Sequence, residues 1–365
     1  MKKLRKTVPL PDDLCLHRYF SDSAAFFDIE TTGFSPKNSF VYLIGMAERS
    51  NNAIEITQFL ADKRTEEAAV LSSFFENLKS VRTLITFNGT GFDLPFLKAR
   101  AALYGISHSL DDFSPLDLYK LTGKFAHLFH LPDKKQKSVE KFLGVEREDK
   151  YGGGELIPVY YAYEKQRNPQ SEELLLLHNY EDVLGMAKLL PLLSYADFFD
   201  TPPHVLSVSR ERCVSYDGKD ETQELLLTLS VPFPFPKRIF CRNGLCSLLC
   251  EGSLARLLIK VFSGELRFYY ENYKDYYYLP EEDLAVHKSI ASFVDASHRK
   301  KATASTCYTR KSGCFLPQHT PAVTPCFYPG KKSGVSYFEL TEAFLSDASS
   351  LDSYAAGLLK VLCKS

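Results

Sequence analysis

The chain has 365 residues, a formal net charge of −1, 45% hydrophobic and 24% charged side chains. At about 150 residues per domain this predicts two domains, and the composition excludes collagen-like, coiled-coil and largely disordered classes. Near-neutral charge also excludes a global basic field as a source of nucleic-acid affinity, although a local basic channel remains compatible with it.

Nine scattered cysteines, an odd number, argue against a secreted disulfide framework and for a reducing cytoplasm. The basic start, Met1 to Lys6, runs into Pro9, Pro11, Asp12 and Asp13 with no apolar core, so no secretory signal is expected. No apolar run approaches the ~18 residues of a membrane span.

Taken in chain order, residues 24–29 read as a buried strand, and 40–48 and 53–60 as two more. Short turns carrying Gly33, Pro36, Asn51 and Asn52 join them, which predicts an antiparallel meander. Residues 65–79 have helical periodicity, with Ala69, Val70, Phe74, Phe75 and Leu78 on one face. Residues 82–87 predict a fourth strand, and Pro95 a helix to about Tyr104. A fifth strand near 115–119 and helices near 120–130 and 137–143 follow. A long helix is expected over 171–193, with Ser171 as its cap.

Three strands in a row and then strands alternating with helices predict an α/β fold: a mixed five-stranded sheet flanked by helices. Pro202-Pro203 marks a boundary, giving domains 1–200 and 204–365. The second reads as a β-rich (α+β) accessory domain, with strands near 223–231, 237–241, 245–249 and 265–270 and a last helix near 339–362.

Asp28 and Glu30 are two apart in the first strand, so both carboxylates project from one face while Phe27 and Ile29 enter the core. Two buried carboxylates side by side are costly unless neutralised, and a hard divalent cation is the usual partner. Asp93 lies where the fourth strand hands over to a helix, the end of a strand at which open α/β sheets bind ligands. His178 and Asp182 are four apart on the long helix and share a face. Four carboxylates and a titratable imidazole are the inventory of a two-metal phosphoryl-transfer site, with His178 able to orient or deprotonate a water.

Phe27-Asp-Ile-Glu-Thr-Thr-Gly-Phe, the run Asn88 to Asp93 and the run His178 to Asp182 resemble, in order, the three motifs of the DEDD exonuclease superfamily. In detail, Asn88-Gly with Phe92-Asp-Leu-Pro-Phe-Leu, and His178-Asn with Asp182-Val-Leu-Gly, are similar to YprB-like ribonuclease-H-like proteins of bacteria. The resemblance covers about residues 20–195. It implies a ribonuclease-H-like sheet and a 3′→5′ exonuclease acting on DNA or RNA from a single-stranded 3′ end. It further implies two divalent ions, Mg²⁺ or Mn²⁺, on Asp28, Glu30, Asp93 and Asp182. One departure stands out. One branch places a Tyr four residues before the last Asp and another a His five before, whereas here a His stands four before.

Around this core, Thr31 and Thr32 are candidate contacts to a terminal nucleotide and Phe34 a candidate wedge against its base. Asn88 is either a substrate contact or the turn former that Asn before Gly usually is. Two competing readings remain: a non-catalytic nucleic-acid-binding module, and a structure-selective endonuclease on the same fold. Cys241, Cys246 and Cys250 match no metal-ligand spacing and read as packed strand residues. The tyrosine-rich run from Phe268 to Leu279 is either a stacking platform for single strands or a hairpin whose rings cover a sheet.

Overall fold

In the computed structural model, which describes residues 1–107, 110–214 and 221–363, the chain divides into two compact units, Met1–Ala196 and Asp197–Ser365. The first is built on β1 (Lys2–Pro9), α1 (Leu14–Tyr19), β2 (Ala24–Thr31), β3 (Val41–Ser50), β4 (Ala53–Leu60), α2 (Glu67–Asn77), β5 (Thr83–Thr86) and α3 (Asp93–Leu103). It continues with β6 (Ser114–Asp117), α4 (Leu118–Phe125), α5 (Gln136–Leu143), α6 (Gly153–Gln166), α7 (Pro169–Leu189) and α8 (Leu193–Asp200), the last crossing the division.

The strands form one mixed sheet in the order β1-β4-β3-β2-β5-β6. The β2-β3-β4 meander is antiparallel, and β5 and β6 run parallel to β2. The expected five strands are therefore six, because β1 pairs along its whole length with β4, from Lys2 opposite Leu60 to Pro9 opposite Ala53. Its four cations among eight residues hid it, yet basic side chains are how an edge strand is kept from pairing further. The long helix starts earlier than expected. Asn168, not Ser171, is its cap, accepting from the Gln170 N–H at 2.9 Å, and Pro169 takes the first turn. Helix α6 was not expected; it opens on Gly153-Gly154 and carries Pro158 within it.

Both sheet faces are covered. Phe27 and Ile29 of β2, with Ile44, Met46 and Phe59, pack against Val70 and Phe74 of α2 and Phe96 and Leu97 of α3. On the opposite face Tyr42, Leu43 and Leu60 meet Leu156, Tyr160 and Tyr163 of α6 and Leu175 of α7. Each fully buried side chain of this size contributes roughly 1.5–3 kcal/mol. Alternation along β2 thus sends its apolar residues toward α2 and α3, and Asp28 and Glu30 toward α7. Helix α7 reaches the sheet because Gly45, opposite Asp28 in β3, has no side chain: a Cβ there would lie 2.1 Å from Asn179 Oδ1.

The second unit carries β7 (Val205–Val214), β8 (Glu221–Leu229), β9 (Phe235–Arg242), β10 (Cys246–Gly252), β11 (Leu254–Lys260) and β12 (Phe262–Tyr269). Then come β13 (Tyr276–Leu279), β14 (Leu284–His287), α9 (Lys288–Ala291), β15 (Lys300–Lys301), β16 (Tyr308–Gln318), β17 (Ser336–Glu339), α10 (Glu342–Leu345) and α11 (Ala348–Leu362). These strands make three sheets, ordered β7-β8-β11-β10-β9, β12-β16-β17 and β14-β13-β15, all antiparallel. Cys246 and Cys250 are buried in β10, and burial raises the Cys246 thiol to about 12. Cys241, Cys246, Cys250, Cys307, Cys314 and Cys326 form no disulfide. Among those residues no helix is long and apolar enough to cross a membrane.

Candidate metal centre

Glu30, His178 and Asp182 converge: one ligand atom from each lies within 4.8 Å of the other two. His178 Nε2 stands 3.5 Å from Glu30 Oε1 and 3.2 Å from Asp182 Oδ2. Asp28 faces the same space. Its Oδ2 accepts from the Asn179 amide at 3.1 Å, and Asn179 Oδ1 in turn accepts from Gln58 Nε2 at 3.0 Å. Asp93, the first residue of α3, accepts the Ile29 N–H at 3.2 Å and so ties that helix start to the strand holding Asp28 and Glu30.

Electrostatics report the same convergence. Burial, followed by the charges of Asp182, Glu30 and Asp93, drives the Asp28 carboxyl well above the ordinary carboxylate range. Glu30 is driven the same way by burial and by Asp182, Asp93 and Asp149. Burial lifts Asp93 to about 7 against the bond from Ile29. Among the described residues neither Asp28 nor Asp93 has a cationic partner within ion-pair distance. Closely set oxygen donors with unneutralised charge are what a hard divalent cation binds, so the residues fit such an ion.

Two residues that the sequence reading did not single out complete the site. Asp149 is buried, and its Oδ2 lies 2.7 Å from His178 Nδ1. Burial opposes its ionisation, but Lys137 Nζ at 2.7 Å, the Tyr151 N–H and His178 hold it below the usual carboxylate range. Arg147 donates to Asp182 Oδ1 at 2.6 Å and to Glu140 Oε2 at 3.2 Å. Its guanidinium is only 8% exposed, and against the cost of burial Asp182 and Glu140 hold its proton more firmly than usual. Glu181 pins the segment that carries both, accepting the Glu148 and Asp149 N–H groups at 2.9 Å each. In sequence, Arg147-Glu-Asp-Lys is indistinguishable from a solvated charge run; only the pairing of Glu181 with that loop turns it inward.

The other candidates lie at the end of β2 or in the loops that follow β2 and β5. Thr31 donates its hydroxyl to the Gly33 carbonyl at 2.9 Å, and Thr32 Oγ1 accepts from the Phe40 N–H at 3.1 Å, so both hydroxyls serve the loop. Asn88 has φ +66° and its N–H donates to Asp117 Oδ1 at 2.9 Å, a turn-forming role. Phe34 is 87% exposed, its ring edge-on to Phe92 at 6.2 Å.

Comparison with known proteins agrees with this architecture. Residues 25–194 match the model of the RNase_H superfamily. YprB of Bacillus subtilis (strain 168) is 30% identical over 175 residues, 47% of this chain and 42% of that protein, so the chain spans less than half of that relative. Among solved structures, the family B DNA polymerase of the archaeon Pyrobaculum calidifontis is 21% identical over 47% of this chain and 25% of its own, with a TM-score of 0.38. E. coli ExoI in complex with single-stranded DNA, in a zinc-bound form, is 15% identical over 58% of this chain and 55% of its own, with a TM-score of 0.28. Residues 25–194, with their mixed sheet and covering helices, thus form an RNase H-like domain.

Proposed function

We propose that the first unit is a metal-dependent 3′→5′ exonuclease that hydrolyses phosphodiester bonds of DNA or RNA. Asp28, Glu30, Asp93 and Asp182 would hold two divalent ions, Mg²⁺ or Mn²⁺. The observation that carries this reading is the gathering of carboxylates in which Asp93 is buried and Asp28 half-buried, both raised in pKa and without a counter-cation. When bound, the ions supply charge neutralisation at the scissile phosphate and activation of the attacking water.

His178 supplies the proton chemistry. The Asp149 carboxylate accepts from Nδ1–H, which leaves the Nε2 lone pair turned to Glu30 and Asp182. From there Nε2 takes a proton from a water or adds a nitrogen donor to the ligand set. The first role requires the lone pair to be free of metal. Arg147, paired with Asp182, holds that carboxylate in place at the rim. Phe34, exposed beside Phe92, is suited to stack on a terminal base, with Thr31, Thr32 and Asn88 shaping the loops that receive the single-stranded 3′ end. Free cysteines suit a reducing cytoplasm.

Circular and linear single-stranded substrates test whether a free end is required. With Mn²⁺ the linear form should be degraded and the circular form spared. Cleavage of the circle would replace the exonuclease with an endonuclease.

A further inference from the structure

The second unit contains an open groove of ≈ 910 Å³ whose lining includes Tyr269, Tyr270, Tyr276, Tyr328 and Lys331. That size is in the range of ligand clefts. The walls are fixed by backbone. Tyr328 exchanges both of its main-chain hydrogen bonds with Arg267 of β12, at 2.9 and 2.8 Å, and the Tyr270 N–H donates to the Cys307 carbonyl at 3.0 Å. Tyr270 and Tyr276 are stacked, centroids 4.4 Å apart and planes 18° from parallel. All four residues are half-buried, so each stays partly open to solvent. Lys331 is exposed, lies 4.8 Å from the Tyr269 ring centroid, and has no carboxylate partner among the described residues.

Rigid tyrosines with an unneutralised cation at the edge match one ligand chemistry: a planar base joined to a phosphate. Aromatic faces accept stacked bases with little regard to sequence, and a free lysine meets the phosphate. Glu271, the acid of the lining, accepts the exocyclic amine of a base. We propose that this groove binds single-stranded nucleic acid, stacking its bases on the tyrosines and seating a phosphate on Lys331. The choice of ligand class rests on the nuclease reading of the first unit; the groove itself does not.

The test uses the full chain in EDTA, so that binding is read without cleavage. Fluorescence anisotropy would follow a labelled oligo(dC), its abasic counterpart of the same length, and a proline-rich peptide. Oligo(dC) should bind about tenfold more weakly to Tyr328→Ala. Lys331→Glu, an exposed change that leaves the fold alone, should weaken binding and flatten its salt dependence. The abasic strand should bind no better to the wild type than oligo(dC) does to Tyr328→Ala. Equal affinity of wild type and both variants, equal affinity for the abasic strand, or binding of the peptide alone would each overturn the proposal. Cleavage with Mn²⁺, measured separately on a dinucleotide, distinguishes the two readings. Loss of groove binding with cleavage intact sinks this one, and binding without cleavage sinks the other.

Discussion

Asp149 Oδ2 sits 2.7 Å from His178 Nδ1, and both side chains are buried. The pair fixes the imidazole in the orientation that aims Nε2 at Glu30 and Asp182. Asp149 is a positioning residue: it acts through His178. Asp149→Asn replaces an acceptor by an amide that can present a donor to Nδ1, favouring the wrong tautomer. We expect kcat to fall about 10–100-fold with KM nearly unchanged, the usual effect of removing an orienting partner. The His178 ¹⁵N shifts should report the tautomer change. Unaltered shifts and rates in a folded variant would remove Asp149 from the account.

Without divalent ions the site opposes folding as pH rises. Asp93 titrates at about 7 when folded, against an ordinary value near 3.8, and Asp28 and Glu30 are shifted the same way. A carboxyl whose folded pKa is raised contributes stability that is complete below its unfolded pKa and lost as pH climbs through the folded one. Metal-free protein should therefore lose stability from about pH 4 to about pH 7 through Asp93, and Asp28 and Glu30 add to the loss in the same direction. Saturating Mn²⁺ should restore it by mass action. Thermal melts across that range, with EDTA or with Mn²⁺, measure both effects.

Glu67 is fully buried and accepts from Arg100 Nε at 2.7 Å and from the Val41 N–H at 2.9 Å, joining α2, α3 and β3. Glu67→Ala strands the Arg100 charge and should destabilise the first unit by about 3–5 kcal/mol. Chemical denaturation would show it. A loss below about 1 kcal/mol would mean that Arg100 reaches water when its partner is gone.

Gly45→Ala places a methyl 2.1 Å from Asn179 Oδ1 and 2.9 Å from Val183 Cγ2. Helix α7 must retreat, at a cost of about 1–3 kcal/mol, and the Asn179 bond to Asp28 lengthens with it. Activity should fall more than stability alone explains; a variant that melts lower yet keeps full activity at low temperature would contradict the coupling.

Much of this was legible in the sequence because local pattern and tertiary role coincide. The β2-β3-β4 meander shows itself by short loops, and Asp28 and Glu30 by the two-residue repeat that opposes them to Phe27 and Ile29. What escaped depends on partners distant in the chain. Strand β1 is basic and becomes a strand only because β4 offers it a full edge. Helix α6 forms despite Pro158 because the Glu155 side chain caps the Gly152 N–H and Tyr160 and Tyr163 find a buried bed against the sheet. Arg147 and Asp149 turn inward only through Glu181 and His178, and Asn179 reaches Asp28 only because Gly45 lies opposite it in β3. No local signal in the sequence marks such pairs.

The central claim is that the gathered carboxylates make a metal-dependent nuclease working from the 3′ end. Its most direct test is incubation of the full chain with 5′-labelled single-stranded DNA and RNA in Mg²⁺, Mn²⁺ or EDTA, beside Asp28→Ala. A ladder shortening from the 3′ end should form with Mg²⁺ or Mn²⁺ and disappear in EDTA and in the variant. Intact substrate with folded, metal-loaded wild type, or a ladder that persists in Asp28→Ala, would contradict it.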